Sequence, residues 1–358
     1  MSREMRRVLH PGYQIKEYIE DVEMTQDEFA KRLGITGKQL SLLLSYQASI
    51  TPDIAYKLSA MIGNSIEFWL NLQSNYDAYI VKLNSIEEIE KEKMIYSMID
   101  KKFLKKLNII DSSDNIDSGI YKIRRAALVS NLSMLTKNDI YSFCRTSTCR
   151  DEEPKNIVCR NLWISLAYRI AQQEEVQEFN EDLIIKKIPY FRSLTLENAE
   201  IIYPILKKEL SECGVSLVIL PALKNSNING AIKWIDEKRV MMALNNRGKD
   251  QDKFWFSFFH ELKHVLQKVK RKIIIGEDKN KINDEYELDV DNFARETLIP
   301  SLEYESFDDY SENGILKFAK KIKIHPGIVV GRLQNDGKIP HDRFNGLKAK
   351  YEIAMLND

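Results

Sequence analysis

The sequence predicts an α+β chain: an all-helical N-terminal domain, a helical middle region and a C-terminal domain with a small sheet and two prominent helices. Three observations predict it. Helix-start signals crowd the first 79 residues, helical apolar spacing without a chemical signature continues to about residue 210, and short apolar runs divided by turn residues begin only after Gly214. With 358 residues the chain can hold two to three domains, each with its own core, and we place them at 1–79, 80–210 and 211–358.

In the first segment a helix is expected from Pro11 to Val22, with Ile15, Tyr18 and Ile19 on one side. Two capping boxes follow, Thr25 with Glu28 and Thr36 with Gln39, and Gly34 between them suits a left-handed turn joining two helices. Thr51 with Pro52 opens a fourth helix that Gly63 ends, and Ser65 caps a short fifth containing Phe68, Trp69 and Leu72. The middle region reads as helices broken by the turn-rich DSSDNIDSG at 111–119. Beyond Gly214, strands are expected at 215–221, 229–234 and 238–244, then helices from about Asp252 to Val269 and Asp284 to Leu298.

Composition narrows the function classes. Lys plus Arg and Asp plus Glu number 53 each, so neither a basic nucleic-acid coat nor an acidic tail is present. Hydrophobic residues at 44% are too many for a disordered chain, and no run approaches the 18 or so apolar residues of a membrane span. The N-terminus lacks the apolar run of a secretory leader, and we expect a cytoplasmic protein without membrane association. Cys144, Cys149, Cys159 and Cys213 lack the close pairs of a structural zinc site, so they read as thiols in a reducing compartment.

The sharpest signal is His260-Glu261-Leu262-Lys263-His264. Histidines four apart on a helix stand one turn above each other, so both imidazoles reach one ion, while Glu261 lies where it can touch water beside it. A catalytic zinc takes a third protein ligand, and Glu287 on the next helix is the best candidate, with Asp289 as competitor. Asp291, one turn beyond Glu287, can accept the Nδ1 proton of a ligating histidine. Zn²⁺ would acidify water and polarise a scissile carbonyl, with Glu261 as general base. Tyr286, Tyr304, His325 and His341 stay open as a second oxyanion donor, and Lys263 with the KVKRK run at 268–272 reads as a solvated helix end or a contact for an acidic substrate.

The helix after Thr36 has the place of the second helix of a helix-turn-helix, which lies in the major groove. Lys38 suits guanine or phosphate, Gln39 and Ser41 suit base edges, Gln26 suits phosphate, and Arg3, Arg6 and Arg7 form a basic arm. Residues 1–79 nevertheless hold eight Lys or Arg against ten Asp or Glu, which calls for a dimer that focuses a local patch or for a protein-binding role. The run Leu42-Leu43-Leu44 is unusual for a groove-facing helix.

Residues 10–76 resemble HigA-type antitoxins of the XRE helix-turn-helix class, through HPG at 10–12, TQDEFAKRLGI at 25–35, ITPDIAYKLS at 50–59 and FWLNLQ at 68–73. Gly37 and Leu42 stand where many relatives have polar or basic residues. The resemblance implies a dimeric cytoplasmic repressor of its own operon that in many cases binds a small toxin, with DNA-reading positions Gln26, Lys38, Gln39 and Ser41. Residues of about 215–300 resemble ImmA/IrrE zinc peptidases, through INGAIKW, NNRGKDQDKFWFSFFHELKHVLQ and EYELDVDNFARETLIP. That resemblance implies a zincin-like fold with Zn²⁺ on His260, His264 and Glu287, Glu261 as base and Asp291 behind the ligands; Lys263 and Val290 replace the usual glycine and alanine. Together they predict an operator-binding homodimer whose zinc endopeptidase domain cleaves a specific protein partner or toxin, encoded by an adjacent gene in one version. The alternative is an antitoxin whose zincin domain only senses or binds a partner.

Overall fold

The computed structural model describes residues 9–137, 153–245, 250–267 and 279–351, without the side chains of residue 87 and of 279–286. Arg3, Arg6, Arg7, Cys144, Cys149, the KVKRK run and the Tyr286 side chain lie outside the described residues. The chain divides into two compact units, Met1–Lys91 and Glu92–Asp358.

The first unit holds helices α1 (Pro11–Asp21), α2 (Gln26–Leu33), α3 (Gly37–Leu44) and α4 (Pro52–Ile62), and the start of α5 (Ile66–Met98). Gly34 takes the left-handed turn between α2 and α3, with φ at 69°. Thr36 and Gln39 form the complete capping box, the Gln39 Oε1 accepting from the Thr36 amide at 3.0 Å. At α2 only half of a box forms, because Glu28 turns instead to Arg32 at 2.6 Å. Ile15, Phe29, Leu40, Leu43, Leu58 and Trp69 form the core. The leucine run resolves by helical geometry: Leu43 is buried, while Leu42 and Leu44 flank it half-buried. The fifth helix is long rather than short, 33 residues, because no Gly or Pro interrupts the chain between Ser65 and Asp100.

His10 caps α1 through its ring, Nδ1 accepting from the Gly12 amide at 2.9 Å ahead of Pro11. The same His-Pro-Gly arrangement recurs at His325, whose Nδ1 accepts from Gly327 at 3.1 Å. Burial pushes both imidazoles below their usual 6.5. The folded caps therefore stay neutral where the unfolded chain takes up protons, so their stabilisation is fully present above about pH 6.5 and is lost progressively as the pH falls from there through the lower folded pKa. Calorimetric melts of the full chain are expected to drop between about pH 7 and about pH 5.5. A His10→Asn, His325→Asn double variant, which keeps an acceptor without the titration, should show a shallower drop.

The second unit continues through α6 (Lys101–Lys106), α7 (Ile116–Ala127), α8 (Pro154–Gln173), α9 (Glu181–Ser193) and α10 (Ala199–Ser211). Helix α8 is buried almost all round from Ile157 to Ala167 and lies against α7 and the sheet. A buried ion pair, Glu92 with Arg124, ties the end of α5 to α7, and the Glu92 carboxylate also accepts from the Leu132 amide at 2.8 Å.

The sheet comprises β1 (Val215–Leu220), β2 (Gly230–Trp234) and β3 (Val240–Asn245) in the order β1-β3-β2. β1 runs parallel to β3, with Leu217 opposite Met242, and β2 runs antiparallel to it, with Ala231 opposite Ala243. Every residue of β1 and β3 is buried, as expected of strands covered on both faces. After the sheet come α11 (Gln251–Leu266), α12 (Lys279–Leu298), α13 (Ser301–Glu305), α14 (Glu312–Ile322) and α15 (Pro326–Asn335). Phe254, Trp255, Phe258 and Phe259 of α11 share one core with Val240, Met242 and Leu244 of β3 and with Ala294 and Leu298 of α12. That core fixes the two helices that carry the site. The architecture is α+β, a helical N-terminal unit followed by helices around a small mixed sheet. Among the described residues no helix is long and apolar enough to cross a membrane.

Candidate metal centre and nucleic-acid interface

The aromatic stripe of α11 faces the sheet and leaves His260 and His264 toward α12, each mostly buried. Helix α12 seats Val290, Ala294 and Leu298 in the core, which turns Glu287 and Asp291 toward the histidines. The His260 and His264 Nε2 atoms lie 3.2 Å apart, and the Glu287 carboxylate lies 3.5 Å from the first and 3.3 Å from the second. Asp291 Oδ1 sits 2.9 Å from His260 Nδ1, and this hydrogen bond holds the Asp291 carboxyl below the usual carboxylate range. Glu261 is 9% exposed and packs against β2 at Gly230. A Cβ on Gly230 would come within 2.6 Å of the Glu261 side chain, so the edge strand can approach that carboxylate only through glycine.

Two outer contacts set the imidazole tautomers. His264 Nδ1 lies 3.3 Å from Gln267 Oε1, and the Gln267 Nε2 donates to Asp289 Oδ2 at 3.2 Å, which fixes the amide's orientation. Both Nδ1 atoms thus face oxygen acceptors, an arrangement that favours the tautomer protonated there and turns both Nε2 atoms toward the Glu287 carboxylate. Asp289 is placed outside this convergence, where it also meets Lys263 Nζ at 3.1 Å. Lys263 reaches toward α12 and lies 5.2 Å from the centre of the Phe293 ring.

The donor set fits a divalent ion. Ligands about 2.0 to 2.1 Å from a tetrahedral zinc stand about 3.3 to 3.4 Å from one another, by twice the bond length times the sine of half the tetrahedral angle. The 3.2 Å between the two Nε2 atoms is of that order, the 3.5 and 3.3 Å contacts are made by Glu287 Oε2 and Oε1 respectively, and one donor atom from each residue lies within 4.8 Å of the other two. Two imidazoles and one carboxylate are also a ligand set that leaves a fourth position open.

Of the residues left open as an oxyanion donor, Tyr304 donates to Asp336 at 2.8 Å, and burial together with that carboxylate pushes its phenol up. His325 serves as a helix cap, while His341 lines a cavity beside the centre. Gln267, Gly230 and the cavity-lining Arg295 were not legible as site residues in the sequence. A glycine inside a strand pattern and a residue four beyond Asp291 were the available signals.

In the first unit Gln26, Lys38, Gln39 and Ser41 are all exposed, the last three on the first turns of α3. Gln39 Oε1 is held by the capping box, which leaves its amide nitrogen as the group able to meet a base edge.

Comparison with known proteins agrees with both halves. The helix-turn-helix family HTH_3 matches residues 15–69, and the Peptidase_M78 family, described as an IrrE N-terminal-like domain, matches residues 213–334. An uncharacterized HTH-type transcriptional regulator of Escherichia coli strain K12, YddM, is 41% identical over 64 residues, 18% of this chain and 68% of that protein. Antitoxin HigA-1 of Vibrio cholerae is 28% identical over 28% of this chain and 96% of its own length. A solved addiction module antidote protein of the HigA family from Coxiella burnetii is 37% identical, covering 24% of this chain and 95% of that one, with a TM-score of 0.23. The class is thus a helix-turn-helix protein joined to a metallopeptidase-type domain. The chain belongs to the XRE-class helix-turn-helix family, with HigA-like antitoxins among its homologues, and carries an IrrE-like domain C-terminal to it.

Proposed function

We propose that this protein is a DNA-binding transcriptional regulator of the antitoxin type whose C-terminal domain is a zinc-dependent endopeptidase acting on one specific protein partner. The observation that supports the peptidase reading is the convergence of one donor atom each from His260, His264 and Glu287 within 4.8 Å of one another. A zinc ion held there would lower the pKa of water and polarise a scissile carbonyl. The chain's own groups do the rest. Asp291 keeps the His260 proton on Nδ1, and Gln267 does so for His264. Glu261, walled from solvent by β2, takes the proton of the attacking water on a carboxylate oxygen and delivers it to the leaving nitrogen. The test is incubation of the purified chain with proteins encoded beside its gene. A cut that is lost in Glu261→Gln while zinc is retained supports the enzyme, and no cut of any neighbour favours a partner-binding module.

The regulator reading rests on α3, whose exposed Lys38, Gln39 and Ser41 are presented by a capped helix in the second position of the motif. We assign duplex operator DNA as the ligand, bound by a cytoplasmic homodimer; with eight basic residues against ten acidic ones in 1–79, two copies would focus a local patch that one copy lacks, and a protein-binding role is the competing outcome. In a gel shift on the protein's own promoter, Lys38→Ala is expected to weaken the complex by about tenfold and to lower the slope of log affinity against log salt by about one. An unchanged slope would move Lys38 away from phosphate.

A further inference from the structure

A cavity of about 400 Å³ adjoins the metal centre, sharing Asp291 as part of its wall. Its size is that of a ligand pocket able to take one or two residues of a peptide. Phe254, Phe256, Leu298 and Ile328 supply apolar lining, and the charged lining holds four Lys or Arg against two Asp. Most of those charges are already engaged. Lys348 pairs with Asp252 at 2.8 Å, Lys253 with Asp250 at 2.9 Å, Arg332 with Asp336 at 2.7 Å, and Asp291 with His260.

Arg295 differs. It follows Glu287 and Asp291 on one face of α12 at successive steps of four, so the helix that closes the metal centre also aims a guanidinium into the cavity. Its charge acts on Asp291 one turn back without forming a close ion pair among the described residues, and it is half-buried. Asp252 adds a second, opposite requirement: its Oδ1 is buried without a hydrogen-bond partner among the described residues, while Oδ2 holds Lys348. A buried acceptor of that kind is satisfied by an N–H. Lys263 on the facing helix is paired with Asp289 at 3.1 Å.

We propose that this cavity is the specificity pocket of the peptidase reading, taking an acidic residue of an extended peptide with its carboxylate on Arg295 and a neighbouring N–H on Asp252. The inference rests on the proposed peptidase, and it names the substrate class. A planar guanidinium meets a carboxylate through two parallel N–H donors, and the partly apolar wall strengthens that pair relative to water.

The test uses full-length Glu261→Gln protein loaded with zinc, so that binding is read without turnover. Two fluorescein-labelled peptides of otherwise identical, neutral sequence, one with a central Glu and one with Gln, are titrated and followed by anisotropy. The Glu peptide is expected to bind about tenfold more tightly than the Gln peptide. Arg295→Met on the same background should erase that preference, and Arg295→Lys should keep part of it. Equal affinity for the two peptides, binding of neither, or a preference that survives Arg295→Met overturns the proposal. Because the comparison in the parent protein stands even where Arg295→Met fails to fold, the result does not depend on that variant. A Glu preference without cleavage of any neighbouring protein leaves the pocket standing and removes the peptidase. Cleavage without the preference does the reverse.

Discussion

His264→Ala is expected to purify with close to no zinc where the wild type holds about one ion per chain, as metal analysis of dialysed protein would show. The variant leaves His260 and Glu287 as two donors, and a two-ligand site does not retain zinc against buffer. Glu261→Gln should behave differently. It keeps the triangle of donor atoms but removes the group that accepts the water proton, so zinc stays near one per chain while any cleavage falls by at least about a hundredfold. The two variants together separate holding the ion from using it. Zinc retained in His264→Ala would show that the ion sits elsewhere. Between these limits, Asp291→Asn loses the acceptor charge behind His260 and is expected to weaken zinc binding by about tenfold or more without abolishing it.

The second large effect is expected at Arg192 of α9. Its guanidinium donates to the carbonyls of Thr297 and Leu298 at the end of α12 and to those of Ile322 and Lys323 at the end of α14, at 2.8 to 3.3 Å. Both helices end with unsatisfied carbonyls and the negative pole of their dipoles there, and one planar fork serves both. Arg192→Met leaves these partly buried carbonyls without their donor, which costs about 3 kcal/mol and lowers the melting temperature of the second unit by about 6 to 10 °C. Arg192→Lys should recover little, since three donors on one nitrogen cannot span two helix ends. Because α12 also carries Glu287, zinc affinity should fall along with stability in Arg192→Met. A melting temperature unchanged by Arg192→Met would sink this account of how α12 is fixed.

Much of this was legible in the sequence wherever the signal was local. The His260 to His264 spacing needs only the pitch of one helix, and the Thr36 to Gln39 box needs only four residues. The two His-Pro-Gly starts show the same point from another side. At residue 10 the tripeptide is part of a family resemblance, yet its recurrence at 325 in an unrelated context shows that its physics is that of a ring nitrogen capping a helix. Local signals also mislead when two of them compete. Glu28 satisfies the spacing of a capping box but pairs with Arg32 one turn on, since an arginine at that distance outbids a backbone amide. The cap at Ser65 marks the start of α5, but its 33-residue length is not a local signal, since no breaker marks its end before Met98.

The helix-turn-helix pattern, the His260 and His264 pair and the candidacy of Glu287 and Asp291 could be read from the chain alone, because each follows from which residues share a helix face. Packing between distant elements had to show that Asp289 holds Gln267 and Lys263 and stands apart from the His260, His264 and Glu287 cluster, that Gly230 lies against Glu261, and that Arg295 opens on a cavity. These facts depend on how far apart two elements pack and at what rotation. That is set by side chains distant in sequence, here the aromatic stripe of α11 against β3 and the core residues of α12, and no spacing along the chain records it.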